Sequence, residues 1–146
     1  MRNLPIILLA ICIFCSCSLQ NKGSKDEVEI QAVTDSFTTK YYCWQFKDAA
    51  SFSSEDFKRQ LQFLSSNMSR EDVEILKSGT KFPDIEIDDI IISDDEATVK
   101  LQLHDIYVID SIGSLPHLQE EATHQLLLKK ENGKWIVTNV RAKEDR

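Results

Sequence analysis

Few side chains in this sequence have chemistry to offer, and most have a plainer use. His104 and Asp105 are adjacent, with Tyr107 two residues on. In a regular strand, neighbours point to opposite faces, but a bulge can bring both to one side. Imidazole, carboxylate and phenol would there form an acid–base set. The plainer reading leaves His104 facing solvent beside Gln102, with Asp105 marking the bulge. His117 and His124 lack the close spacing of paired histidine ligands and read as loop and strand-edge residues. Asp84, Glu86, Asp88, Asp89, Asp94, Asp95 and Glu96 put seven acids in thirteen residues. A calcium loop needs glycine at its sharp bend, and Ser93–Glu96 has none. These acids read as a solvated strand face and a polar turn.

Phe37, Tyr41, Trp44, Tyr107 and Trp135, with His104 as a polar tip, could wall a pocket for a small hydrophobic ligand. The same aromatics would serve equally as core. Cys43, flanked by Tyr42 and Trp44 and by no cation, reads as a small, partly buried hydrophobe. No phosphate loop, dinucleotide fingerprint, serine elbow or C-x-x-C pair occurs, and no cofactor is implied. The chain of 146 residues carries a net charge of −7, which leaves no basic patch for nucleic acid.

The N-terminus reads as an address. Arg2 is the one charge in residues 1–16, and Leu4 to Phe14 is apolar apart from Pro5. That is signal-peptide length, short of the roughly 20 residues that span a bilayer. Cys15-Ser16-Cys17-Ser18 follows and resembles the lipobox of bacterial lipoproteins. Small Ser16 precedes Cys17, whereas bulky Phe14 precedes Cys15, so Cys17 is the expected lipid acceptor. The resemblance implies a signal peptide over 1–16, a lipidated tether over 17–23 and a bilayer partner reached through acyl chains. Ser18 in place of Asp, and no acidic run after Cys17, imply the periplasmic face of an outer membrane. Cys43 alone would then remain, which excludes a disulfide framework.

The elements that must position these residues follow from periodicity. Ser24-Lys25-Asp26-Glu27 has the form of a capping box, and Ile30, Val33, Phe37, Tyr41 and Trp44 then recur at helical spacing. Ser54 and Ser69 start two more helices, and Gly79 is placed to end the second in the left-handed conformation. The period then changes to two. Ile85 and Ile87 alternate with acids, and Ala97, Val99, Leu101 and Leu103 alternate with polar residues until parity slips at Asp105-Ile106. Leu126–Lys130 and Lys134–Val140 flank Asn132-Gly133, a strong hairpin signal. Helices followed by about four antiparallel strands in one domain, 24–146, mean α+β.

The long helix, the bent sheet and the closing hairpin with Gly133-Lys134-Trp135-Ile136-Val137 resemble the nuclear-transport-factor-2-like (cystatin-like) α+β roll. The resemblance implies a cone between helix and sheet that can hold a small molecule, and a homodimer through the sheet face. Enzymes of that superfamily use acid–base groups inside the cone, but their motifs do not transfer here. The leading expectation is therefore a non-catalytic envelope domain that holds a small hydrophobic ligand or a protein partner. An acid–base enzyme using His104, Asp105 and Tyr107, and a structural subunit, are the alternatives.

Overall fold

A computed structural model describes residues 20–143, with side chains from Lys25 onward. The expected signal peptide, the lipobox and Cys17 lie outside the described residues. The chain forms α1 (Gln20–Tyr41), α2 (Phe46–Ala49) with a 3-10 turn (Ala50–Phe52), α3 (Glu55–Ser66) and α4 (Arg70–Ser78). Four strands follow, β1 (Asp84–Ser93), β2 (Glu96–Val108), β3 (His117–Glu131) and β4 (Lys134–Ala142). They pair antiparallel in the order β1-β2-β3-β4, as the α+β reading expects.

Local signals set most of these boundaries. Ser54 Oγ accepts from the Phe57 amide at 3.3 Å. At α4 the box is complete, with the Asp72 amide donating to Ser69 Oγ at 3.1 Å and the Ser69 amide to Asp72 Oδ2 at 2.7 Å. Asn132 and Gly133 take φ 51° and 77°, as the tight β3–β4 turn requires. Two boundaries differ from expectation. α1 already runs from Gln20, so Ser24 lies in its second turn and Gly23 inside it, not at a boundary. Gly79 caps α4 at φ −60°, ψ 132°, which is extended and not left-handed.

The core lies between α1 and the concave face of the sheet. Ile30 and Phe37 of α1 are fully buried, with Val99, Leu101, Leu103 and Ile106 of β2, Leu126 of β3 and Val137 of β4. Phe57 and Leu61 of α3 close the side. Burying each such side chain is worth about 1.5–3 kcal/mol. The parity slip in β2 is present, but an extra residue does not make it. The β2–β3 register is constant from Glu96↔Lys129 to Val108↔His117. Instead Asp105 takes φ 55°, which turns Ile106 into the core after Leu103. The register shifts fall elsewhere, at Ile87/Asp89 in β1 and at Leu127/Leu128 against β4.

At the other end of α1, Asp26 ties the helix to the closing hairpin. Its Oδ1 accepts from Lys130 Nζ at 2.7 Å and from Trp135 Nε1 at 3.1 Å. Lys130 also lies over the Trp135 ring, 5.6 Å from its centroid. The bond from Lys130, then that from Trp135, lowers the Asp26 pKa below its ordinary 3.8, and the Asp26 bond raises that of Lys130. A carboxylate with a lowered folded pKa stabilises the fold above its unfolded value and loses that contribution as pH falls through the folded one. Asp26→Asn should therefore lower the melting temperature by a few degrees at pH 7. Thermal melts of both proteins should converge in acid well below pH 3.8. An unchanged gap there would assign the loss to packing instead.

Candidate functional site: a cavity at the C-terminal end of the long helix

The apolar stripe of α1 runs out before the sheet does. The helix ends at Tyr41, with a last helical bond from the Tyr42 amide to Thr38 O at 3.0 Å, and the chain turns through Tyr42, Cys43 and Trp44. The Trp44 amide donates to Tyr41 O at 3.0 Å and the Gln45 amide to Lys40 O at 2.9 Å. These two bonds form a Schellman motif, with Trp44 at the left-handed position that glycine usually takes. Its φ of 59° is strained for a bulky side chain. The indole repays this in part, since Nε1 donates to Tyr107 O at 3.2 Å. Trp44 was expected on the helix, and this turn places it beyond the helix end. The same turn leaves Cys43 exposed instead of partly buried.

A cavity of about 600 Å³ lies beyond the turn. Tyr41, Tyr42, Trp44 and Phe46 wall it from the helical side, and Ile106, Tyr107, Val108 and His124 from the sheet. Asn67, Met68, Ser69, Glu71, Asp72 and the β2–β3 connection complete it. Leu64, Ile112 and Leu115 line it while remaining exposed, so it opens beside an apolar rim. Its volume is in the range of sites that take drug-sized molecules. Glu71 and Asp72 are the charged residues of its lining, and no lysine or arginine reaches it. Asp72 is engaged by the Ser69 amide.

Of the residues expected to wall a pocket, Tyr41, Trp44 and Tyr107 meet here. Phe37 is fully buried in the core, stacked on Tyr41 at 5.2 Å between centroids. Trp135 is buried at the opposite end, against Asp26. His104 does not line the cavity and stands on β2 between Asp84 and Glu121. Asp105 is drawn outward into a 2.8 Å pair with Lys81, whose pKa this bond raises. The sheet thus separates the expected acid–base set and leaves Tyr107 alone at the cavity. His117 is exposed near Asp110. Asp84, Glu86 and Asp88 lie on the outer face as expected, Asp88 pairing with Lys100.

The polar pair inside the cavity is one the sequence reading passed over. Tyr42 Oη and His124 Nδ1 lie 2.7 Å apart. Burial pushes the Tyr42 phenol well above its ordinary pKa of 10.0, and neighbouring Tyr41 adds to the shift. Burial also lowers His124 below 6.5, so both are neutral near pH 7. Two signals pointed to them. Tyr42 continues the helical spacing of buried Thr34 and Thr38, and His124 shares strand parity with buried Leu126 and Leu128.

No protein-family model matches the sequence, and no curated protein matches it. Solved structures are similar in fold. One is a variant of Rv3472, a protein of unknown function from Mycobacterium tuberculosis, with a TM-score of 0.57 and 13% identity over 88% of this chain and 77% of that one. Another is an NTF-2 like protein of unknown function from Shewanella oneidensis MR-1, with a TM-score of 0.55 and 11% identity over 80% of this chain and 98% of that one. The helices on a curved four-stranded antiparallel sheet are thus a nuclear-transport-factor-2-like fold.

Gly79 stands against the ring of Tyr107, which lines the cavity. A Cβ there would sit 2.5 Å from Tyr107 Oη, so any other residue obliges that side chain to shift. Gly79→Ala must swing the Tyr107 ring, at a cost of about 1 kcal/mol, the low end for overpacking because only a side-chain tip has to yield. Tyr107→Phe in that background should recover most of the loss. Urea denaturation of the two variants checks this, and equal midpoints would contradict it.

Proposed function

We propose that this is a membrane-tethered envelope protein whose domain binds a small, mainly apolar molecule in the cavity at the end of α1. The observation that carries the reading is the cavity itself, about 600 Å³, walled by aromatics and rimmed by exposed Ile112 and Leu115. Aromatic walls with few polar tips favour an apolar ligand with one oriented end.

The tether is proposed from the lipobox-like Cys15-Ser16-Cys17. Among the described residues no helix is long and apolar enough to cross a membrane. Acyl chains on Cys17 would make the attachment. The periplasmic face of an outer membrane remains the proposed address. Asp26, near the start of α1, is about 22 Å along the helix axis from Tyr41 at the cavity. A tether entering at Gln20 would then hold the cavity at the end of the domain away from the bilayer. Such a ligand would be exchanged with the aqueous side or a protein there, and not drawn directly from the membrane.

Mass spectrometry of the protein extracted from its host in mild detergent tests both parts. The expected denatured mass is that of a chain starting at an acylated Cys17. The expected native mass carries a small molecule that is lost on denaturation. An unmodified Cys17 would overturn the tether, and a bare native mass at every stage of purification would count against the ligand.

A further inference from the structure

The polar pair in the cavity restricts the chemistry of what can bind. A neutral phenol and a neutral imidazole hold two protons between them. One sits in the 2.7 Å bond between Tyr42 Oη and His124 Nδ1. If Tyr42 donates, the spare proton is on His124 Nε2. If Nδ1 donates, it is on Tyr42 Oη. Either tautomer leaves one donor over, and among the described residues neither atom has a further hydrogen-bond partner. Tyr42 is only 5% exposed, so water has little access to satisfy its side of the pair. A donor left unmet when a ligand displaces water costs about 1–3 kcal/mol. A bound molecule must therefore supply an acceptor at this point or be disfavoured.

Charge narrows the choice further. Glu71 and Asp72 are the ionic groups at the cavity, with no lysine or arginine to balance an incoming anion. A carboxylate or phosphate would be desolvated near like charge.

We propose that the cavity takes an uncharged, largely apolar molecule with a single oxygen acceptor, such as a ketone or alcohol, and that the Tyr42–His124 pair hydrogen-bonds this oxygen. The proposal rests on the cavity being a ligand site and adds the polar end of the ligand. The oxygen lies against β3 and the start of the α1 turn, with the apolar body directed toward Ile112 and Leu115.

The test uses the full chain in lipid nanodiscs, with empty nanodiscs subtracted. The neutral dye N-phenyl-1-naphthylamine fills the cavity and is displaced by 2-nonanone, nonane or nonanoate. The ketone should displace the dye at a concentration about five- to tenfold below that of the hydrocarbon, the worth of one net hydrogen bond. Nonanoate should be the weakest of the three. Each single substitution, Tyr42→Phe or His124→Leu, leaves one proton in place and should retain part of the preference. Tyr42→Phe with His124→Leu removes both partners together, which is close to neutral for folding. That double variant should still bind the dye while ketone and hydrocarbon become equal. Equal displacement by ketone and hydrocarbon in the parent protein would overturn the proposal. A ketone preference surviving in the double variant, or nonanoate binding tightest, would overturn it as well. Failure of the dye to bind at all would instead overturn the cavity reading beneath it.

Discussion

Burial of a single helix stripe in a bent sheet organises this fold. A four-stranded sheet with one concave face cannot stand alone in water, and α1 is the element long enough to cover it. Ile30 and Phe37 are lost entirely from solvent there, against Val99, Leu101, Leu126 and Val137. The cover is unequal along its length. At the Asp26 end the helix is fastened to the β3–β4 hairpin by Lys130 and Trp135. At the other end α1 stops at Tyr41, while β2 continues to Val108 beyond the Asp105 kink. The uncovered stretch of sheet is the wall of the cavity.

Features near that end depart from ordinary backbone or packing preferences. Trp44 and Asp105 both hold positive φ, and Gly79 lets Tyr107 approach closer than any Cβ would permit. Such departures cost of order 1–3 kcal/mol where the residue is bulky, and they persist only where surrounding contacts hold them. Here they place Trp44 and Tyr107 on the same cavity. Burial then acts on Tyr42 and His124 in opposite senses, raising one pKa and lowering the other, and keeps a neutral hydrogen-bonded pair in an acidic protein.

What was legible in the sequence was what short-range chemistry decides. Ser54 and Ser69 announce their helices because a cap needs only residues three apart, and Asn132-Gly133 announces its turn because both positions need positive φ. The parity slip at Asp105 was visible, although its cause is a backbone rotation and not an inserted residue. The cavity was less legible. Tyr42 and His124 are 82 residues apart, and only the parity of β3 and the spacing of α1 hinted that they face each other. Phe37 and Trp135 carry the same aromatic signature as Trp44, yet packing sends them to the core and to the far end. The Ser24 pattern resembles a cap but sits inside a helix that polar residues extend to Gln20.

The two tryptophans stand at opposite ends of the molecule, which gives a direct test of where a ligand sits. An uncharged brominated ketone quenches indole emission only at short range, and its titration into wild type and Trp44→Phe separates the two ends. A ligand seated at the end of α1 gives saturable quenching in wild type that disappears in Trp44→Phe, with buried Trp135 emission untouched. Quenching that does not saturate, or that persists equally in Trp44→Phe, would contradict a ligand site at the end of α1.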